Sequence, residues 1–281
     1  MTPTVAVVAQ GAMGAGVGAR LVARGVRVVT SLTGRSAASA KRAAEAGMIP
    51  VSDVEAARAD FFLSIVPPGD ALSLAEKMAA LIGASNKKPI YVDCNAVSPP
   101  TKIKIGNTVT KAGAPFVDVG IIGLPPRPGS DGPVFLAAGP EAARFVPLGD
   151  FGLKIRAIEG PVGAAAAVKM SYAGITKGFT ALGAMMMLAA MRAGVAKELR
   201  AELERSHPAF VQNFLRAVPD MYGKAYRFVP EMREIADFVG EDAAARQMHL
   251  AFADFYRRMA RDFDGGKREI EALEKFLALK P

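Results

Sequence analysis

The sequence predicts an N-terminal α/β domain with a doubly wound parallel sheet, followed by an all-α domain. In the first half, short β-branched strands alternate with helices of about ten residues, which is the pattern of βαβ units. A glycine-rich turn directly follows the first strand, and no strand-like run occurs after Val162. The 281 residues suffice for two domains of ~100–200 residues each, and we place them at 1–160 and 161–281.

The strands are assigned from short apolar runs, which suit a sheet covered on both faces. They are Val5–Ala9, Val26–Thr30, Phe61–Val66, Ile90–Asp93, Phe116–Val119, Val134–Ala138 and Lys154–Ile158. Helices are expected between them, over 12–23, 37–46, 71–82 and 101–112. The second half predicts one long helix, Gly163–Arg192, buried on several sides, and then Ala196–Ser206, Pro208–Val218, Asp220–Val239, Asp242–Phe263 and Lys267–Leu279.

Composition narrows the possible partners. The 35 Lys and Arg exceed the 27 Asp and Glu, giving a charge of +8 that is either an ordinary surface or a mild field for an anionic ligand. Basic clusters with interleaved aromatic residues are absent from the sequence, so we expect no nucleic-acid binding. One cysteine and two histidines predict no metal site. The longest uncharged apolar run, Gly178–Met191, is shorter than the ~20 residues of a span. We therefore expect no membrane segment, and a cytoplasmic location.

The turn after the first strand has the small residues of a Rossmann fingerprint, in the frame Ala9, Gly11 and Gly14. Alanine replaces the first glycine. The following helix would offer free N–H groups and a partial positive charge to a pyrophosphate. A structural glycine turn is the alternative. We predict that the turn binds a dinucleotide through Ala9, Gln10, Gly11, Ala12, Met13 and Gly14.

The loop after the second strand indicates which dinucleotide is preferred. An acidic residue there would bind a ribose 2′-hydroxyl, but this loop has none. It contains Arg35, 35 − 14 = 21 residues after Gly14, with hydroxyls at Ser31, Thr33 and Ser36. These groups suit a 2′-phosphate, so NADP is favoured and NAD remains possible. The alternative for Arg35 is a solvent-exposed side chain.

The third and fourth strands end in Val66-Pro67-Pro68 and Asp93-Cys94-Asn95. In a doubly wound sheet the ligand lies outside the carboxyl ends of the strands. We expect Val66, Pro67 and Pro68 to line the cofactor, and Asn95 to bind cofactor or substrate. Cys94 is interpreted as a packing residue rather than a nucleophile.

These motifs, with the Gly120–Gly123 loop and the Gly160–Lys169 segment, resemble the β-hydroxyacid dehydrogenase superfamily. That group includes 3-hydroxyisobutyrate dehydrogenase, 6-phosphogluconate dehydrogenase and, more distantly, imine reductases. The phrases Asp93-Cys94-Asn95-Ala96-Val97-Ser98-Pro99 and Lys169-Met170-Ser171-Tyr172-Ala173-Gly174 resemble a branch labelled 6-phosphogluconate dehydrogenase-like, whose C-terminal domain has no assigned function.

The resemblance implies that Lys169 is the catalytic lysine, which exchanges a proton with the reacting oxygen during hydride transfer. Burial would lower its pKa towards neutrality. From the residues alone, Lys169 is equally consistent with a polar stripe shared with Lys177 and Arg192.

Two departures from the family pattern concern the substrate. The family's asparagine is Ala173 here. Tyr172 or Ser171 could substitute, although both point elsewhere on an ideal helix, and Thr176 lies seven residues after Lys169 on the same face. The family's Ser-Gly-Gly loop reads Gly120-Ile121-Ile122-Gly123, so only backbone donors remain. Arg127 could supply a positive charge or could lie in solvent. We expect a small-molecule substrate that is anionic or partly apolar.

The leading hypothesis is an NAD(P)-dependent oxidoreductase acting on a hydroxy acid or related alcohol/carbonyl pair. The alternatives are reduction of a C=N bond, as in imine reductases, and dinucleotide binding without turnover. The resemblance further implies a homodimer formed through the helical domain.

Overall fold

The computed structural model describes residues 2–280. The chain divides into two compact units, the first extending to Met170 and the second beginning at Ser171. This division lies ten residues after the predicted boundary at 160/161. The first turns of the long helix pack on the sheet and therefore belong to the first unit.

The first unit is built on one eight-stranded sheet with the order β3-β2-β1-β4-β5-β6-β7-β8. The strands are β1 (Thr4–Val8), β2 (Arg27–Ser31), β3 (Ile49–Val51), β4 (Phe61–Ser64), β5 (Ile90–Asp93), β6 (Phe116–Ile122), β7 (Val134–Ala138) and β8 (Lys154–Ala157). The helices are α1 (Ala12–Val22), α2 (Ala37–Glu45), α3 (Asp53–Ala56), α4 (Ala71–Gly83) and α5 (Pro99–Lys111). The order 3-2-1-4-5-6 is that of the Rossmann fold.

The observed sheet differs from the predicted parallel sheet in two features. Strand β7 runs antiparallel to β6, because residues 123–133 join them without a helical crossover. Strand β3 and helix α3 were also not predicted, since Ile49-Pro50-Val51 is short and contains a proline, which weakens a strand assignment.

Apolar residues fill both faces of the sheet, as expected for buried parallel strands. One face packs residues such as Val7, Leu63 and Val92 with Val17 and Leu21 of α1. The other face packs residues of α4 and α5 around the stacked rings of Phe62, Tyr91 and Phe116, whose neighbouring centroids lie 5.0 and 6.2 Å apart. Both faces are therefore covered, and the carboxyl edge is the part of the sheet where loops can form a site.

The second unit is helical, as predicted. Its helices are the remainder of α6 (Ala164–Ala193), then α7 (Ala196–Ser206), α8 (Pro208–Met221), α9 (Ala225–Phe238), α10 (Ala243–Asp264) and α11 (Arg268–Leu277). Glycines on α6 make room for side chains of the neighbouring helices. A Cβ on Gly178 would lie 3.0 Å from the Phe252 ring, and one on Gly183 would lie 2.3 Å from the Phe214 ring.

Helix α6 was expected to be buried on several sides, and within the chain one of its faces is exposed. Four large apolar side chains follow one another along its exposed face, because the described helices of the second unit cover only the opposite side. They are Tyr172 (49% exposed), Ile175 (72%), Leu182 (50%) and Met186 (55%). We call these four residues the α6 stripe.

Among the described residues, α6 alone is long and apolar enough to cross a membrane. Core helices of soluble proteins pass the same test of length and composition, so this is weak evidence for a span.

Candidate active site at the carboxyl edge of the sheet

The sheet brings most of the predicted site segments to one edge. Val8 pairs with Ser64, Ser64 with Asp93, and Asp93 with Asp118, so four neighbouring parallel strands are in register near their ends. Three of these strands are followed by the glycine turn, the Val66-Pro67-Pro68 segment and Asn95, and the β2 loop follows the strand that pairs with β1. Such an edge is where doubly wound sheets bind their ligands.

The glycine turn has the geometry that a dinucleotide needs. Gly11 is the N-cap of α1 and has no side chain to cap its first N–H groups, and a Cβ there would meet no atom within 4 Å. A Cβ on Gly14 would lie 1.9 Å from the Ala9 carbonyl oxygen, so only glycine allows α1 to pack this closely on the end of β1. The buried Ala9 is accommodated beside Val8 and Val66. The turn therefore fits a pyrophosphate at the start of α1.

Gln10 and Arg42 connect this turn to the second strand and helix. The buried Gln10 amide donates to the Thr30 hydroxyl and, at 2.9 Å, to the Ser31 carbonyl oxygen. Arg42 of α2 donates through Nε to the Gln10 carbonyl oxygen at 2.7 Å, and through Nη2 to Ser39 Oγ at 3.0 Å. Gln10 thus has a structural role in the turn, and a second arginine lies beside the predicted cofactor site.

The hydroxyls of the β2 loop already have protein partners. Ser31 Oγ donates to Thr33 Oγ1 at 3.3 Å, and both hydroxyls lie beside Asp53, the first residue of α3. Burial alone would raise the pKa of Asp53, but hydrogen bonds from Lys77, Ser31 and Thr33 outweigh it and hold that pKa below its ordinary value. Ser36 caps α2 by accepting from the Ser39 N–H at 3.3 Å.

Asn95 is positioned at the end of β5 and its side chain is used within the sheet. Its Nδ2 donates to Ser64 Oγ and Asp93 Oδ2, both at 2.8 Å, and its Oδ1 accepts from the Val66 N–H at 2.7 Å. Both amide hydrogens are therefore engaged, and Asn95 fixes the backbone of Val66. The exposed Pro67 follows at the edge. Direct contact of Asn95 with a ligand stays a prediction.

Gly120 and Lys169 are brought together although 49 residues separate them in sequence (169 − 120 = 49). A Cβ on Gly120 would lie 2.7 Å from the Ala165 carbonyl oxygen and 3.1 Å from the Lys169 Cβ. Glycine is therefore required for α6 to pack against β6 at this point. The Cβ atom of the half-buried Lys169 therefore lies beside the predicted substrate loop.

The residues after Gly120 face in alternate directions, as in any strand. Ile121 is buried in the core with Val119 and Cys94, whereas Ile122 packs beside Leu136 and Ala165. The side chain of Ile121 is therefore turned away from the face that Gly120 shares with α6. Gly123 has a φ of +126°, which suits glycine at the end of the strand.

Arg127 lies in a loop that is attached to α1. Arg20 donates to the carbonyl oxygens of Ser130, Asp131 and Arg127 at 2.7, 3.0 and 3.2 Å. The Arg127 side chain is exposed, so its role towards a substrate stays a prediction.

The predicted residues on α6 beyond Lys169 belong to the second unit. Tyr172 and Thr176 are exposed, and the Thr176 hydroxyl donates to the Tyr172 carbonyl oxygen at 2.8 Å. Ala173, which stands at the family's asparagine position, is buried. Their contribution to a substrate site stays a prediction.

Cys94 is a packing residue. Its side chain is buried in the core, and burial raises the pKa of its thiol well above the ordinary value, which disfavours the nucleophilic thiolate. Within residues 2–280, no group of three or more His, Cys, Asp or Glu side chains could hold a metal ion.

Three residues near the site were not predicted from the sequence: Arg42, Asp53 and Lys102. The position of Arg42 on the helix after the cofactor loop is a usable signal, since a basic residue there faces the turn. No local pattern marks Asp53 or Lys102. Lys102 is fully buried on α5 and pairs with Asp93 and Asp118. Burial alone would lower the pKa of Lys102, but the two carboxylates hold it above its ordinary value.

Comparison with known proteins identifies two families along the chain. Residues 4–145 match the family described as the NAD binding domain of 6-phosphogluconate dehydrogenase. Residues 190–259 match a domain of unknown function, DUF1932. An uncharacterised 28.5 kDa protein from the 7S RNA 5′ region of Methanothermus fervidus is 31% identical over 217 residues, covering 76% of this chain and 82% of that protein.

Solved structures resemble the chain over nearly its whole length. The conserved protein MTH1747, of unknown function and described as structurally similar to 3-hydroxyacid dehydrogenases, is 28% identical, with a TM-score of 0.71 over 93% of this chain and 98% of that one. A Mycobacterium tuberculosis 3-hydroxyisobutyrate dehydrogenase with L-serine has a TM-score of 0.76 at 20% identity, over 97% and 99%. An imine reductase from Myxococcus stipitatus has a TM-score of 0.60 at 18% identity, over 99% and 100%. At such identities the last two show a shared fold.

Proposed function

The chain belongs to the family described by the NAD binding domain of 6-phosphogluconate dehydrogenase, and from that membership we propose that it is an NAD(P)-dependent oxidoreductase. Its substrate is a hydroxy acid or a related alcohol/carbonyl compound, and Lys169 is the general acid/base. The observation that carries this proposal is the packing of Gly120 against Ala165 and Lys169, next to the carboxyl edge that holds the glycine turn.

The proposed reaction divides the chemistry between cofactor and protein. A nicotinamide held at this edge would supply or accept the hydride. The Lys169 ammonium gives a proton to the substrate oxygen during reduction and takes it back during oxidation. Because the Gly120–Gly123 segment offers backbone donors and aliphatic side chains, we propose a substrate that is partly apolar and binds an anionic or polar group through N–H donors.

We propose NADP as the preferred cofactor. Support comes from Arg35 on the loop after β2 and from Arg42 on the following helix, which contacts the glycine turn through the Gln10 carbonyl oxygen. Guanidinium groups bind phosphate through charge-assisted hydrogen bonds. NAD is the alternative, and the hydroxyls of Ser31 and Thr33, which lie beside Asp53, would then accept from the ribose 2′-hydroxyl.

Imine reduction is a second candidate for the same site. It is favoured by Ala173 in place of the family's asparagine and by the apolar Gly-Ile-Ile-Gly segment, since a C=N substrate does not need a carboxylate site. Lys169 argues against it, because the resemblance places another residue type at this position in imine reductases.

We further propose a cytoplasmic homodimer that associates through the helical unit. The α6 stripe supports the dimer, since a row of large exposed apolar side chains marks an interaction surface.

The test of the activity combines cofactor binding with one substitution. NADPH and NADH are titrated while nicotinamide fluorescence is followed, and the protein is then assayed with a panel of hydroxy acids, alcohols and cyclic imines. Lys169→Ala should leave cofactor affinity nearly unchanged and reduce turnover by at least ~100-fold, the usual size of a general acid–base contribution.

Lys111→Ala, at an exposed position near the end of α5, is the matched control and should keep full activity. Turnover of imines alone would support the second candidate. Cofactor binding without turnover of any substrate would indicate a non-catalytic dinucleotide-binding protein, and equal turnover in Lys169→Ala would remove this lysine from the mechanism.

A further inference from the structure

A buried charge cluster joins the ends of β5 and β6. Asp93 and Asp118 pair across the two strands, and Lys102 of α5 reaches both from one side. The Lys102 side chain is 0% exposed. A lone buried ammonium would be very costly, so the cluster is stable only with its partners in place.

The ammonium of Lys102 also binds backbone oxygens near the site. It lies within hydrogen-bonding distance of the carbonyl oxygens of Asp93 (2.9 Å), Asn95 (3.2 Å) and Val119 (3.5 Å), besides the Asp93 carboxylate, and these acceptors share its three N–H groups. Val119 immediately precedes Gly120, and Asn95 holds the Val66 N–H. One side chain therefore restrains both segments of the carboxyl edge.

Asp118 extends the cluster to the first turn of α6. Its Oδ1 lies 3.5 Å from Lys102 Nζ, while its Oδ2 accepts from the N–H groups of Gly163, Ala165 and Ala166 at 2.8, 3.0 and 3.3 Å. One ammonium faces two carboxylates, and the remaining negative charge faces the positive end of the α6 dipole. Asp118 thereby attaches the helix that carries Lys169 to the strand that carries Gly120.

We propose that Lys102, acting with Asp93 and Asp118, is a positioning residue of the active site. It fixes the first turn of α6 on β6 and so sets where Lys169 stands relative to Gly120. This proposal rests on the proposed role of Lys169, and its test does not require a known substrate.

The test compares two double variants of the full-length protein, because Lys102→Met alone would leave two carboxylates against one helix terminus and could fail to fold. Lys102→Met/Asp93→Asn keeps the Asp118 contacts with α6, whereas Lys102→Met/Asp118→Asn weakens them as well. Each removes one positive and one negative charge. Amide hydrogen exchange at Ala165 and Ala166 is measured, together with trace acetylation of Lys169 by acetic anhydride, quantified by mass spectrometry.

Acetylation of Lys169 is expressed relative to the exposed Lys41 and Lys154, which have 77% and 48% exposed side chains. We expect this ratio to change at least threefold in both variants, with faster exchange at Ala165 and Ala166. The change should be larger in the Asp118 variant. Arg200→Met/Glu204→Gln, which removes a partly buried ion pair from α7, is the control and should leave both quantities unchanged.

Folded variants with wild-type acetylation ratio and exchange would overturn the positioning role. A uniform rise in exchange across the first unit, with an unchanged acetylation ratio, would also overturn it by showing a purely structural cluster. Failure of the wild-type protein to bind either NADPH or NADH would contradict the proposed function, and is measured separately.

Discussion

Arg35 and Arg42 are the best candidates for recognising a 2′-phosphate. The Ser31 hydroxyl donates to Thr33 Oγ1, and the Ser36 hydroxyl donates to Ser39 Oγ. A hydroxyl has one proton, so a group that donates it within the protein can only accept from a ligand. Binding of the phosphate by these hydroxyls stays a prediction, and we expect discrimination between the two cofactors to depend mainly on the guanidinium groups.

Arg35→Ala tests this discrimination. A charge-assisted hydrogen bond contributes ~1.5–3 kcal/mol, so NADPH affinity should fall roughly tenfold or more while NADH affinity is retained. Arg42→Ala should weaken both cofactors, because it also loses the bond to the Gln10 carbonyl oxygen. Fluorescence titration gives the ratio of variant to wild-type affinity for NADPH and for NADH.

Arg24→Ala is the control, since Arg24 follows the far end of α1, about 16 Å along the helix from the glycine turn. An equal loss of NADPH and NADH binding in Arg35→Ala would contradict the phosphate role.

Individual residues were predictable from sequence when a local pattern marked them. The turn of Gly11 and Gly14 has a fixed spacing, and Arg35 follows it at the expected distance. Lys102 and Asp53 carried no such mark. Their partners lie on other strands and helices, and a lysine on a helix of mixed character is ordinarily a surface residue.

At the scale of elements, the first strand–turn–helix contains two glycines that are needed for different reasons. A Cβ on Gly14 would collide with the Ala9 carbonyl oxygen at 1.9 Å, whereas a Cβ on Gly11 would enter open space. Gly14 therefore serves the packing of α1 on β1. Gly11 leaves open space at the helix terminus, where we expect a ligand to approach.

This difference predicts opposite outcomes for two single-methyl changes. The free energy of unfolding of Gly11→Ala should lie within ~0.5 kcal/mol of the wild-type value, as for a surface substitution. The same variant should lose affinity for NAD(P)H. Gly14→Ala should lose ~1–3 kcal/mol of stability through overpacking. Urea denaturation and cofactor titration measure the two effects. Retained NADPH affinity in Gly11→Ala would contradict dinucleotide binding at this turn.

Helices and strands were predictable where one hydrophobic period continued over many residues. The helices of the second half begin and end within a few residues of their predicted positions, and β5 and β7 have the predicted bounds. The direction of β7 was not predictable, because a strand's apolar pattern is the same in parallel and antiparallel pairing. Likewise, the apolar character of α6 could not show whether its exposed face is covered by the same chain or by another.

For the whole molecule, the α6 stripe is the feature that a single chain leaves unexplained. Tyr172, Ile175, Leu182 and Met186 are spaced by 3, 7 and 4 residues, which places them along one side of a helix. Isolated exposed apolar residues are ordinary, but a continuous row costs solubility unless a partner covers it. A second copy of the chain offers the same row, and a two-fold axis would let the two rows pack on each other.

Ile175→Arg should convert a dimer into a monomer, because it places a charge at the most exposed position of that row. Light scattering coupled to size-exclusion chromatography should give twice the 29.4 kDa chain mass for the wild type and one chain mass for the variant. Ile103→Arg, at an exposed apolar position on α5, is the matched control and should remain dimeric. A monomeric wild type, or a dimeric Ile175→Arg, would contradict association through the stripe, and would require α6 to tolerate its exposed apolar face in solution.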